Sequence, residues 1–151
     1  MLKDENTPSA IRVVIFRLHD EDFGVEIAYI REITAMLDMT VIHDPAGFIK
    51  GVVNYQGQVV VVVDWITPLC SRSTEGIPKT ARIIFIELRK RVFGFIVDQV
   101  FDVIEVSLGD AGGGRQQGAT DLPADYIKGV AGVDGKSIRV LDMEKIFLKF
   151  I

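Results

Sequence analysis

The chain has 151 residues, 48 % of them apolar and 25 % charged, enough for one soluble domain with a core of its own. A net charge of −4 and the lack of any strongly basic segment exclude the electrostatic footprint of a nucleic-acid or anionic-membrane binder. The single cysteine, Cys70, excludes an internal disulfide, and no apolar run approaches the roughly 20 residues of a membrane helix.

The first ten residues, MLKDENTPSA, are polar and charged and predict a flexible N-terminus rather than a signal peptide. These features together predict a cytoplasmic protein. Structure is expected from residue 11 to 147, and it is written twice. IRVVIFRLHDEDFGVEIAYIREI at 11–33 aligns without a gap on ARIIFIELRKRVFGFIVDQVFDV at 81–103. Arg12, Leu18, Phe23 and Gly24 recur as Arg82, Leu88, Phe93 and Gly94. Further on, FIKGVVNYQGQVVVVVDWITPL at 48–69 matches YIKGVAGVDGKSIRVLDMEKIF at 126–147. Lys50, Gly51, Gly57, Val62 and Asp64 fall on Lys128, Gly129, Gly135, Val140 and Asp142. Two repeats follow, 11–69 and 81–147, inside one domain.

Each repeat reads as mostly β. VVIFRL and RIIFIEL are β-branched strands that end in charged turns (HDED, RKR), and a second strand then opens on Phe-Gly. The three-residue spacing in IAYIREI and VDQVFDV fits a helical turn or an irregular strand equally well. A hairpin comes next. Asp134-Gly135 suits a turn with two positive φ angles, which places Gln56-Gly57 at the matching tip with Gln56 exposed. Short helices are expected at WITPL and MEKIFLKF. The stretch 109–121 is rich in glycine and is expected to be a flexible loop within the second repeat. Two similar barrels of about five strands each, packed on one another with short helices, would bury all of these faces.

The hairpin strands differ in one respect. Ser137 and Arg139 alternate with apolar residues and are expected on the solvent side, yet their counterparts are Val59 and Val61. The first repeat therefore carries a second apolar face, which either packs on the other barrel or meets another protein.

Catalytic patterns are absent. The sequence has no G-x-S-x-G, no H-E-x-x-H, no Walker lysine and no paired Cys or His at ligand spacing, so neither an enzyme nor a metal or cofactor site is expected. His19 and His43 stand apart in turn-like segments. Asp20-Glu21-Asp22 lacks the periodicity of a calcium loop and reads as a solvated turn, opposite in charge to Arg89-Lys90-Arg91 in the second repeat.

The order Phe23-Gly24, Ile27, Ile30, Glu32-Ile33, then Pro45, Phe48-Ile49-Lys50-Gly51-Val52, Asn54, Gly57 and Asp64 resembles the CheW family of bacterial chemotaxis coupling proteins. Phe93-Gly94, Val97-Asp98 and Tyr126 to Gly129 continue the match, so it covers nearly the whole chain. The resemblance implies two five-stranded barrels like Src-homology-3 domains. It also implies a non-enzymatic adaptor joining the cytoplasmic tip of a methyl-accepting chemoreceptor to the regulatory domain of a CheA-type histidine kinase. Family contact surfaces fall here on Ile30, Glu32 and the hairpin residues Asn54 and Gly57; Gln56, Val59 and Val61 join them as candidates for partner binding. The family pattern has arginine at Gln56 and proline at Val61, a departure that points towards a pilus, biofilm or developmental variant of the system. A small-molecule-binding sensor barrel is the alternative from another class.

Overall fold

The computed structural model describes residues 10–43, 48–64, 78–109 and 124–150. Its strands are β1 (Ala10–Leu18), β2 (Glu21–Glu26), β3 (Ile30–Ala35), β4 (Met39–Val41), β5 (Ile49–Tyr55), β6 (Gln58–Val63), β7 (Arg82–Leu88), β8 (Arg91–Val97), β9 (Gln99–Ser107), β10 (Ile127–Val133) and β11 (Lys136–Leu141). One helix follows, α1 (Met143–Phe150). The expected helix at WITPL, Cys70, most of the 109–121 loop and all but the last residue of the N-terminal segment lie outside the described residues. The ambiguous IAYIREI segment is both things in turn, a short 3-10 turn at Ile27–Tyr29 running straight into β3.

The protein is mainly β, with two barrel-like sheets, but neither is one repeat. The five-stranded sheet runs β10-β11-β2-β1-β9 and the six-stranded sheet β3-β7-β8-β6-β5-β4. Each repeat lends its first hairpin to the other. The hairpin β1–β2 sits between β11 and β9, while β7–β8 sits between β3 and β6. The joins are the same in both barrels: Val140 lies parallel to Gly24 in one, and Val62 parallel to Gly94 in the other. Repeated residues thus occupy repeated places.

The lent hairpins are where the packing concentrates. Along β1, Val13 and Ile15 fill the five-stranded barrel, whereas Val14 and Phe16 face a central core shared by both barrels. Along β7, Ile83 and Phe85 fill the six-stranded barrel and Ile84 and Ile86 face the same central core. A strand buried on both faces needs no polar alternation, which explains VVIF and IIFI. Phe16 meets Phe23 and Phe95 at centroid distances of 5.8 and 5.6 Å, so one aromatic cluster spans both sheets. Helix α1 closes this core from outside with Met143, Ile146 and Phe147.

The barrels are sealed differently. In the five-stranded barrel Gly109 extends β9 and exchanges two backbone hydrogen bonds with Val130 on β10, at 2.8 and 3.4 Å. In the six-stranded barrel no ladder joins β3 to β4 among the described residues. Met36, Leu37 and Met39 pack into that barrel's core instead. Because each barrel is completed by a hairpin from the other repeat, the repeats should not fold separately. Fragments cut between residues 70 and 80 should each lack a cooperative melt by circular dichroism and recover native β signal when mixed. A fragment that folds alone would contradict the shared core.

Candidate functional site

The tip of β5–β6 is shaped by backbone conformation. Gln56 has φ of 52° and Gly57 φ of 79°, as a two-residue hairpin turn requires, and Asp134 and Gly135 repeat this at 50° and 78°. The Asn54 side chain accepts a hydrogen bond from the Gly57 N–H at 3.2 Å and so fixes the turn from within. Gln56 is exposed, as its position at the tip requires.

Glu32 on β3 meets this tip. Its Oε1 accepts a hydrogen bond from the Tyr55 hydroxyl at 2.6 Å and another from Gln56 Nε2 at 3.4 Å. Beside it Arg31 donates to Glu87 at 2.8 Å and to Gln56 Oε1 at 3.4 Å. Side chains therefore bridge the barrel here where the other barrel uses backbone. The Tyr55 ring lies stacked on Phe85 at 4.0 Å, which holds its hydroxyl in place. Burial, and then the bond to Glu32, raise the Tyr55 pKa above its ordinary value. The bond to Glu87 likewise raises that of Arg31.

Val52, Asn54, Val59 and Val61 share the outer face of the same hairpin, since Val52 pairs with Val61 and Asn54 with Val59. Val60 and Val62 point inward and are 4 % and 0 % exposed. The extra apolar face divides along its length. Val61 is half-buried against the central core, as is Ile30, whereas Val59 is 73 % exposed. Arg139, the counterpart of Val61, is not on the solvent side as its place in the alternation suggested. It is buried, its guanidinium lies 5.0 Å from the centre of the Phe23 ring, and it forms an ion pair with Glu21. Glu21 and Asp22 are accordingly not simply solvated either, because Asp22 pairs with Arg17 at 2.9 Å.

The structure thus gathers Glu32, Asn54, Gln56 and Gly57 at the tip, and puts Val59 and Val61 on the adjoining sheet face. Ile30, like Val61, packs half-buried against the central core. Sequence reasoning missed Tyr55, Arg31 and Glu87. Tyr55 could have been found, since it is an aromatic at an inward position of the alternation, next to a residue already singled out.

The sequence and the fold match known proteins. The family model described as CheW-like domain matches residues 12–149, and the chain belongs to that family. Among similar proteins are a Chemotaxis protein CheW of Rhizobium meliloti, 28 % identical over 89 % of this chain and 86 % of its own length, and a Chemotaxis protein CheW of Klebsiella aerogenes, 27 % identical over 88 % and 79 %. The crystal structure of the scaffolding protein TtCheW from Thermoanaerobacter tengcongensis superposes with a TM-score of 0.74 at 26 % identity, covering 90 % of both chains.

Two outcomes test this geometry. Tyr55→Phe removes only the hydroxyl and should cost about 1 kcal/mol in denaturant titrations. A raised folded pKa means this contribution is complete below the ordinary tyrosine value of about 10 and fades as pH climbs through the folded value. The stability gap between the two proteins should therefore stay constant to that pH and close above it. For Val61, the position equivalent to Glu21 is Arg91. Val61→Glu would face that cation and should be the milder change, whereas Val61→Lys would meet like charge at the edge of the core and lower the melting temperature further.

Proposed function

We propose that this chain is a non-enzymatic adaptor that couples chemoreceptors to a CheA-type histidine kinase through surface contacts on the six-stranded barrel. The observation that carries the reading is the likeness, over nine tenths of both chains, to a CheW named as a scaffolding protein. Its partners in this reading are the kinase regulatory domain and the cytoplasmic tip of a methyl-accepting receptor, which places the chain in the cytoplasm. Ile30, Glu32, Asn54, Gln56, Gly57, Val59 and Val61 form the contact surface. Asn54 and Gly57 hold the hairpin's shape, and Glu32 and Gln56 give it polarity. Val59 supplies exposed apolar area of the kind that normally marks a protein contact.

Adaptor work needs rigid surfaces rather than reactive groups, and the described residues suit that. Val53, Val60, Val62, Ile83, Phe85 and the Tyr55 ring fill the six-stranded barrel, which favours recognition on its outside over a ligand within. His19 is buried in a turn whose backbone N–H donates to Asp98 at 3.1 Å. No group of three His, Cys, Asp or Glu among the described residues could hold a metal ion. No helix among them is long and apolar enough to cross a membrane.

The test is reconstitution. With an immobilised regulatory domain from a CheA-type kinase of the same genome, a receptor-tip fragment should be retained only when this chain is present. Val59→Lys should abolish retention while stability stays within about ±0.5 kcal/mol, as for other surface changes. No retention by the wild-type chain would sink the reading, and so would phosphate stably carried on it after incubation with autophosphorylated kinase.

A further inference from the structure

Among the described residues, the carboxylate at the hairpin tip has no counter-ion. Both donors to Glu32, the Tyr55 hydroxyl and the Gln56 amide, are neutral, and both use Oε1. Arg31, the neighbouring cation, is engaged by Glu87 at 2.8 Å and by the Gln56 carbonyl oxygen. Among the described residues no cation stands within ion-pair distance of Glu32. Two carboxylates and one guanidinium leave the tip with an excess of negative charge, carried by Glu32.

This carboxylate is also held in position. Tyr55 is buried and stacked on Phe85, so its short hydrogen bond fixes Oε1 while the residue remains exposed on β3. A group already ordered loses little freedom when it meets a charged partner. On the same hairpin, Val59 stands 73 % exposed with half-buried Val52 and Val61 beside it. An anion next to an apolar strip is complementary to a basic side chain flanked by an apolar one.

We infer that this tip docks a basic side chain of a partner protein, with Glu32 as its counter-charge and Val59 as the adjoining apolar contact. That the occupant is a protein rests on the adaptor reading; the sign of its charge rests on Glu32 alone. Gln56 has a definite part here. It orients Glu32 without neutralising it, whereas a cation at position 56 would satisfy the carboxylate internally and compete with the partner.

Two measurements test the inference separately from the adaptor reading. In the first, capped tri-arginine and tri-glutamate peptides are titrated at low salt into the isotope-labelled chain, and amide shifts are followed by NMR. Tri-arginine should move Glu32, Gln56, Gly57 and Val59 saturably, and the response should fall severalfold in Glu32→Gln and Gln56→Arg, both still folded by circular dichroism. Shifts confined to the Asp20–Asp22 turn, no shifts, or a tip response to tri-glutamate would each overturn it. The second measures affinity for the CheA-type regulatory domain and the receptor tip. For the partner that engages the hairpin, Glu32→Gln and Gln56→Arg should weaken binding on the order of tenfold, while Arg31→Gln should tighten it modestly. Gln56→Arg that tightens binding, or changes nothing, would overturn the charge assignment. If tri-arginine binds the tip but neither protein binds the chain, the adaptor reading fails and the charge assignment stands.

Discussion

Everything else in this molecule depends on β1 and β7 being buried on both faces at once. Each strand fills one barrel with alternate residues and the shared core with the others, and each is lent by one repeat to the other. Fully burying a large apolar side chain is worth roughly 1.5–3 kcal/mol, so the central cluster of Phe16, Phe23, Ile84, Ile86, Phe93 and Phe95 outweighs any surface contact in the protein. Because that cluster draws on both repeats, the barrels cannot shift independently without exposing it. An adaptor in the proposed role needs that rigidity.

On this common frame the two repeats have diverged at matching positions. Arg139 reaches Glu21 across the parallel join in one barrel, where the other has Val61 against the core edge. The Arg31–Glu87 pair of one barrel corresponds to Phe101 and Arg17 in the other, where the guanidinium lies 4.9 Å from the ring centre. One barrel closes by backbone at Gly109 and Val130; the other closes by side chains at Glu32 and Tyr55. The side-chain closure has a structural consequence. It leaves a polar, exposed and well-held group at the mouth of the barrel that also carries an apolar outer face.

Much of this was legible in the sequence, for identifiable reasons. The repeats showed themselves through residues with little freedom to vary, such as Gly24 and Gly94, where an added Cβ would meet Val140 at 3.3 Å and Ile83 at 3.0 Å. The hairpin tip was legible because Asp134-Gly135 demands positive φ, and the register then carried that to Gln56. The exchange of hairpins was not, since nothing local distinguishes β1 pairing with β9 from pairing within its own repeat. Arg139 was misplaced because alternation treats a polar residue as a solvent marker, whereas this one is paired with Glu21 and stacked over Phe23. The role of Arg31 and Glu87 depended on that same exchange, which brings β3 of one repeat beside β7 of the other.

In the proposed adaptor role, the outer hairpin face and tip of the six-stranded barrel are where this chain would meet its protein partners. Hydrogen exchange measured by mass spectrometry, with and without the CheA-type regulatory domain and the receptor tip, addresses it most directly. Slowed exchange should appear over 30–33 and 52–59 with at least one of the two partners, and the matching 130–137 hairpin of the other barrel should be unchanged there. Protection confined to 130–137, with 52–59 exchanging as in the free chain, would contradict it.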